Sequence, residues 1–184
     1  MNSTDQFEVI VCDYYKPLFR FAMSLTRVES DALDLTQQTF YVWAAKGHQL
    51  RDNSKIKTWL FTTLHREFLK NRRRQIKFPH QELEDLPELP ENFPEDSDTL
   101  DFSQVLSALA RVDDVYQAAV ALFYLENRSY KDIATILQVP VGTIKSRIAR
   151  GIAQLRKFVL SQTGYTGRLD FDAERQIRSF EAWN

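Results

Sequence analysis

Lys145, Ser146, Arg147, Arg150 and Lys157 fall within VGTIKSRIARGIAQLRK, residues 141–157, a stretch with five positive charges and no negative one. Arginine and lysine at this density grip phosphates or donate to guanine edges, and a serine or threonine hydroxyl, such as those of Ser146 and Thr143, bonds to either kind of target. The spacing sorts the stretch into two faces of one helix. Ile144, Ile148, Gly151, Ile152 and Leu155 recur at i, i+4, i+7, i+8 and i+11, while Ser146, Ala149, Arg150, Ala153 and Lys157 share the opposite side, flanked by Lys145 and Arg147. Small residues among the cations permit close approach to a DNA groove. The plainer alternative is an amphipathic bundle helix whose cations face solvent.

The residues before this helix must position it. In SYKDIATILQVP, Ser129 is placed to N-cap a helix with Asp132 three residues on, and Ile133, Ala134 and Leu137 form its inner face. Pro140 ends that helix and starts the next. The spacing therefore predicts a helix-turn-helix.

A second basic helix lies some seventy residues earlier, in WLFTTLHREFLKNRRR. Trp59, Leu60, Leu64 and Phe68 have core spacing, which leaves Arg66, Lys70, Arg72, Arg73 and Arg74 outside to meet phosphates. Aromatic platforms beside cations hold unstacked bases, at roughly 1–3 kcal/mol per base. Residues 51–77 carry nine bases against two acids.

Charge is segregated along the chain. Its 184 residues sum to a net charge of −1, yet residues 75–101 hold nine acids, one base and four of the six prolines, and the remainder has 23 bases against 16 acids. Two basic modules joined by an acidic, flexible, Pro-rich linker are the expected organisation, and basic modules suit nucleic acid. Five glycines, few alternating β-branched runs and three- and four-residue apolar spacing almost throughout predict an all-α fold of two small helical domains. The single cysteine, Cys12, precludes an intrachain disulfide, and the start MNSTDQFEVI lacks the pattern of a secretory signal, so a reduced cytoplasmic protein is expected. No apolar run approaches the roughly 20 residues that span a bilayer, so membrane insertion is not expected. No cofactor or metal is expected, since His48, His65 and His80 stand far apart without companions at ligand spacing. With no Gly-rich phosphate loop or nucleophile motif, neither catalysis nor a small-molecule substrate is expected.

YKDIATILQVPVGTIKSRIARGIAQLRK closely resembles region 4 of the extracytoplasmic-function (ECF) sigma factors of bacteria. Upstream, YYKPLFRFAMSLTRVESDALDLTQQTFYVWAAK resembles their regions 2.1 and 2.2, and IKTWLFTTLHREFLKNRRR their promoter-melting helix. The resemblance implies a division into region 2 (1–77), linker (78–101), region 4 (102–160) and a C-terminal tail (161–184). It implies an initiation factor that binds core RNA polymerase and promoter DNA. Asp31, Asp34, Leu35, Gln37, Gln38, Phe40 and Trp43 would meet polymerase, although core packing competes for the apolar members. Arg66, Lys70, Arg72, Arg73 and Arg74 would serve the minus-10 element, and Thr143, Lys145, Ser146, Arg147, Ala149, Arg150 and Lys157 the minus-35 element. The sequence departs from the common pattern with Leu33 and Gln38, where glutamates are frequent, and with Arg66, where the family usually has the asparagine of the base-capturing region. The tail is expected to seal the C-terminal module with a short helix through Ala173, Ile177 and Phe180, or to dock an anti-sigma factor or other regulator. An independent regulator that binds an operator without polymerase keeps the helix-turn-helix but leaves the acidic linker and the first basic helix unexplained.

Overall fold

The computed structural model describes residues 3–77 and 105–163, and these are helices joined by short turns, with no strand among the described residues. The expected linker and the expected tail helix lie outside the described residues.

Three helices build the N-terminal module. Helix α1, Ser3–Thr26, buries Leu18, Phe21, Ala22 and Leu25, which recur at the i, i+3, i+4, i+7 spacing of one helical face. It ends where Arg27 turns into the left-handed region, φ 63°, with its N–H donating to Met23 O at 3.0 Å. Helix α2, Glu29–Lys46, begins with Glu29 and Asp31, whose charges complement the positive end of the helix dipole. It buries Thr36 and Thr39 among its apolar residues, and their hydroxyls donate to Ala32 O at 2.7 Å and Leu35 O at 2.8 Å, so neither is left unpaired. Helix α3, Ile56–Lys77, buries Ile56, Leu60, Phe61 and Leu64 and closes the core, with Phe61 tilted against Phe21 at 5.6 Å between centroids.

The C-terminal module comprises a short helical stretch over 105–109 (α4), then α5, Asp114–Tyr124, α6, Tyr130–Leu137, and α7, Val141–Thr163. Ser129 caps α6 as expected: its Oγ accepts from Asp132 N at 3.1 Å and donates to Asp132 Oδ2 at 2.7 Å. Gln138, φ 57°, ends α6, and Pro140 O accepts from Thr143 N and Ile144 N to start α7. Helix α7 crosses α5 closely at Gly151, where an added Cβ would lie 2.4 Å from Val120 Cγ2. A reciprocal clamp pins the crossing, Asp113 N donating to Gln154 Oε1 at 2.9 Å and Gln154 Nε2 to Asp113 Oδ2 at 2.7 Å.

The two modules pack together, α5 on α1 and α6 on α3. Helix α5 accordingly buries six consecutive residues, Gln117–Leu122, a pattern that requires neighbours on every side. At the seam Arg20 Nη2 donates to Leu125 O at 2.7 Å, satisfying a carbonyl that the end of α5 leaves open, and the Arg128 guanidinium sits 5.9 Å over the Phe61 ring.

Candidate nucleic-acid interface

Helix α7 separates its two faces as its sequence dictates. Ile144, Ile148 and Gly151 are buried and Ile152 and Leu155 half-buried, while Lys145, Ser146, Ala149, Arg150 and Lys157 are exposed. Ser146 Oγ donates to Thr143 O at 2.9 Å, which leaves its lone pairs for an outside donor. Thr143 and Arg147 are half-buried. Arg147 lies near enough to His65 of α3 to act with burial, the larger cause, in holding that imidazole down at about 4. The exposed members of the basic face are thus open to a groove, with Arg147 half-buried beside them.

Helix α3 keeps Arg66, Lys70 and the whole run 70–77 exposed. A helix end of that length beyond the last buried residue, Leu64, has no core to cover and only charge to present. Lys70 Nζ pairs with Glu67 Oε2 at 3.0 Å, and Arg72 with Asp114 at the start of α5. Arg66 and Trp59 line a cavity of about 440 Å³ with Lys46, Gln49 and Leu50, where the polar turn after α2 meets α3. Trp59 is half-buried and packs edge-on against Trp43 at 5.1 Å, so it is partly structural. Asp52 shapes this turn by accepting from Ser54 N at 3.0 Å and Ser54 Oγ at 2.6 Å; those bonds, with Lys55 nearby, hold its carboxyl below the usual range.

Helix α2 corrects one expectation. Leu35, Phe40 and Trp43 are buried at 2, 7 and 8% exposure, so they are core residues of the N-terminal module and have no surface to offer a partner. Asp31, Asp34, Gln37 and Gln38 are exposed. Tyr41, 70% exposed, shares their side at i+3 and i+4 from Gln38 and Gln37, and nothing in its local spacing separates it from the buried Phe40 beside it. Two seam residues were also missed: Glu126 and Asp114 sit in apolar or mixed segments whose partners are distant in sequence, and only the packing reveals their roles. Among the described residues no cluster of metal-ligating side chains occurs, and no helix is long and apolar enough to cross a membrane.

Two helical modules, each presenting an exposed basic helix, one within a helix-turn-helix, mark the class of DNA-binding proteins. Residues 10–77 match the sigma-70 region 2 family and residues 102–155 the sigma-70 region 4 family. The chain belongs to the sigma-70 family of transcription initiation factors, in its ECF group, and it binds core RNA polymerase and directs it to promoters. It is 29% identical to the RNA polymerase sigma factor YlaC of Bacillus subtilis, over 85% of this chain and 94% of that one, and 27% identical to the ECF sigma factor EcfG of Rhodopseudomonas palustris, over 97% of each. Among solved structures it resembles the sigma factor RpoE of Bartonella quintana in complex with the anti-sigma factor NepR, with TM-score 0.73 and 28% identity over 85% of this chain and 98% of that one. The fold also matches that of CnrH in complex with the cytosolic domain of CnrY, with TM-score 0.64, 20% identity and coverage of 88 and 92%.

Proposed function

We propose that the two modules divide promoter recognition between them: α3 with its preceding turn holds the minus-10 element, and α7 reads the minus-35 element. The observation that carries this is the pair of exposed basic helix faces, one in each matched domain and in family order. In the major groove Lys145, Ser146 and Arg150 meet base edges, Ala149 lets the backbone come close, and Thr143, Arg147 and Lys157 hold flanking phosphates. On α3, Arg72, Arg73 and Arg74 hold the minus-10 backbone, Lys70 assists, and Arg66 stands at the cavity where an unstacked base would enter.

Asp31, Asp34, Gln37, Gln38 and Tyr41 form the polymerase-docking face. The domain limits follow: region 2 over 1–77, an acidic linker over 78–101, region 4 over 102–160 and a tail over 161–184. The protein performs no catalysis of its own, since the chemistry of RNA synthesis belongs to the polymerase, and it works in the cytoplasm, where the chromosome is. An anti-sigma factor is a further partner, supported by the complexes in which the structural relatives were solved.

Run-off transcription with purified core polymerase on a genomic promoter library tests the assignment. Transcripts should start downstream of a shared pair of elements, and substitutions on α7 and α3 should shift preference at the upstream and downstream element respectively. Shifts at the same element from both helices would overturn it.

A further inference from the structure

Arg27 and Arg72 are far apart in the N-terminal module's chain, one at the turn between α1 and α2 and the other near the end of α3, yet they meet on one carboxylate. Arg27 Nη2 lies 3.4 Å from Asp114 Oδ1 and 3.3 Å from Gln117 Oε1, and Arg72 Nη2 bonds Asp114 Oδ2. Arg27, Arg72 and Asp114 line a cleft of about 650 Å³ whose other walls come from the N-terminal module, Arg74 and Asn71 among them, with Asp114 reaching in from the C-terminal module.

Two features set this contact apart from an ordinary surface ion pair. Arg27 is held in the left-handed backbone region, where a side chain is disfavoured and glycine or asparagine is the usual helix terminator. The strain is tolerated at the one position whose guanidinium completes the pair. All three side chains are also 36 to 46% exposed, so water and solutes reach the contact, and ion pairs at that exposure contribute little to holding modules together. A solvent-exposed carboxylate shared by two arginines can be replaced by an anion that takes both forks, and phosphate is the anion whose geometry and charge suit them best.

We propose that Arg27 and Arg72 form a phosphate cradle for the promoter backbone, which Asp114 fills in the closed protein and vacates when the modules part. The cradle rests on the assignment of Arg72 to minus-10 DNA and adds to it both a residue outside the basic helix and an internal competitor. Because the competitor belongs to region 4, the free protein masks the cations of region 2, and anything that draws region 4 away unmasks them.

The test uses the full-length protein in two settings, across a salt series. Free protein is titrated against a labelled single strand carrying the minus-10 sequence of a promoter recovered by run-off transcription, and reconstituted polymerase against the corresponding duplex. Asp114→Asn should tighten the free protein's hold on the strand by about three- to tenfold. Arg27→Gln should weaken the polymerase complex and lower its salt slope by about one unit, and Arg27→Lys should recover most of that slope. If Arg27→Gln keeps both affinity and slope while Arg72→Gln loses them, the cradle is refuted and the minus-10 assignment stands. If neither substitution changes the slope, the minus-10 assignment of this helix end falls, and the cradle with it. An Asp114→Asn protein that binds the strand no better than wild type refutes the competitor.

Discussion

The Glu126 carboxylate, 5% exposed, lies 3.8 Å from Arg20 Nε across the seam between the modules, too far for a hydrogen bond, and its Oε1 has no hydrogen-bond partner. Burial pushes Glu126 up to about 7, with Arg20 only partly offsetting it. A carboxyl whose pKa is raised by packing favours the packed state fully below its free value of 4.5 and loses that contribution as pH rises through about 7. His65, held down at about 4, acts oppositely: its contribution is present above 6.5 and lost as pH falls towards 4. Above pH 6.5 the Glu126 effect is therefore the one that remains. Förster transfer between the exposed Cys12 and a cysteine placed at the exposed Ala153 should fall between pH 6.5 and 8 as the modules separate. Glu126→Gln should flatten the curve at its high-transfer end. An identical pH dependence in that variant would assign the change to another group.

Gly151 sits where α7 crosses α5, and a methyl group there meets Val120 Cγ2 at 2.4 Å and Tyr116 Cβ at 3.2 Å. The helices cannot keep their distance. Gly151→Ala should lower stability by about 1–3 kcal/mol through overpacking, despite the better helix propensity of alanine. Thermal and urea unfolding of the full chain measure it, and an unchanged or raised Tm would mean that α5 and α7 are further apart than described.

Phe40 and Tyr41 are neighbours in sequence with opposite fates, 7% and 70% exposed. Phe40→Ala should cost about 3–5 kcal/mol of stability by opening a cavity in the region 2 core. Tyr41→Ala should leave the unfolding midpoint within about 0.5 kcal/mol of wild type and weaken binding to core polymerase. Pull-down or anisotropy with core polymerase, beside a melt, separates the two, and equal loss of polymerase binding by Tyr41→Ala and a destabilised control would remove Tyr41 from the docking face.

Much of this fold was legible because its signals are local. The cap at Ser129, the break at Pro140 and the 3.6-residue spacing of Ile144, Ile148 and Gly151 are each written within a few residues, and each holds in the structure. Leu35, Phe40 and Trp43 were ambiguous for a physical reason: an apolar residue on an amphipathic helix serves a core or a partner equally well, and only the position of α3 and α1 decides. Asp114, Glu126 and Arg27 were illegible because their partners lie 42 to 106 residues away, in every case across the linker. Nothing in DDVYQ or YLENR marks an interdomain contact.

On α7, Arg150 is exposed at the centre of the small-residue face, one turn beyond Ser146, whereas Arg147 is half-buried. A base-reading arginine loses a bidentate partner when truncated. Arg150→Ala should therefore cost about 1–3 kcal/mol on the cognate minus-35 element and relax the preference at one base pair, while Arg147→Ala should weaken all sequences alike by a smaller amount. Competition binding of reconstituted polymerase to promoters with single base-pair changes reads both. Uniform loss for Arg150→Ala would move it to the phosphate-contacting set.

Arg72, Arg73 and Arg74 follow the last buried turn of α3 and have no core to pack against, so whatever they contribute must come from charge. Each phosphate neutralised by such a residue releases counterions, and the dependence of log K on log salt steepens by roughly 0.9 unit per contact on duplex DNA and 0.7 on single strands. Neutralising all three to glutamine should flatten the slope by about two to three units and weaken promoter complexes most at low salt, the two curves converging as salt rises, while core polymerase binding, which uses α2, survives. Arg66→Asn should behave differently. It replaces a cation at the cavity beside Trp59 with an amide, so the slope should change by less than about one unit while the preferred base at one minus-10 position changes. Transcription from duplex and from pre-melted templates across a salt series separates holding the strands from opening them: a defect of the triple variant that pre-melting removes lies in opening, and one that persists lies in holding. Should the triple variant match wild type on the duplex in both yield and salt slope, the run is a solvated helix end and α3 contacts the promoter elsewhere.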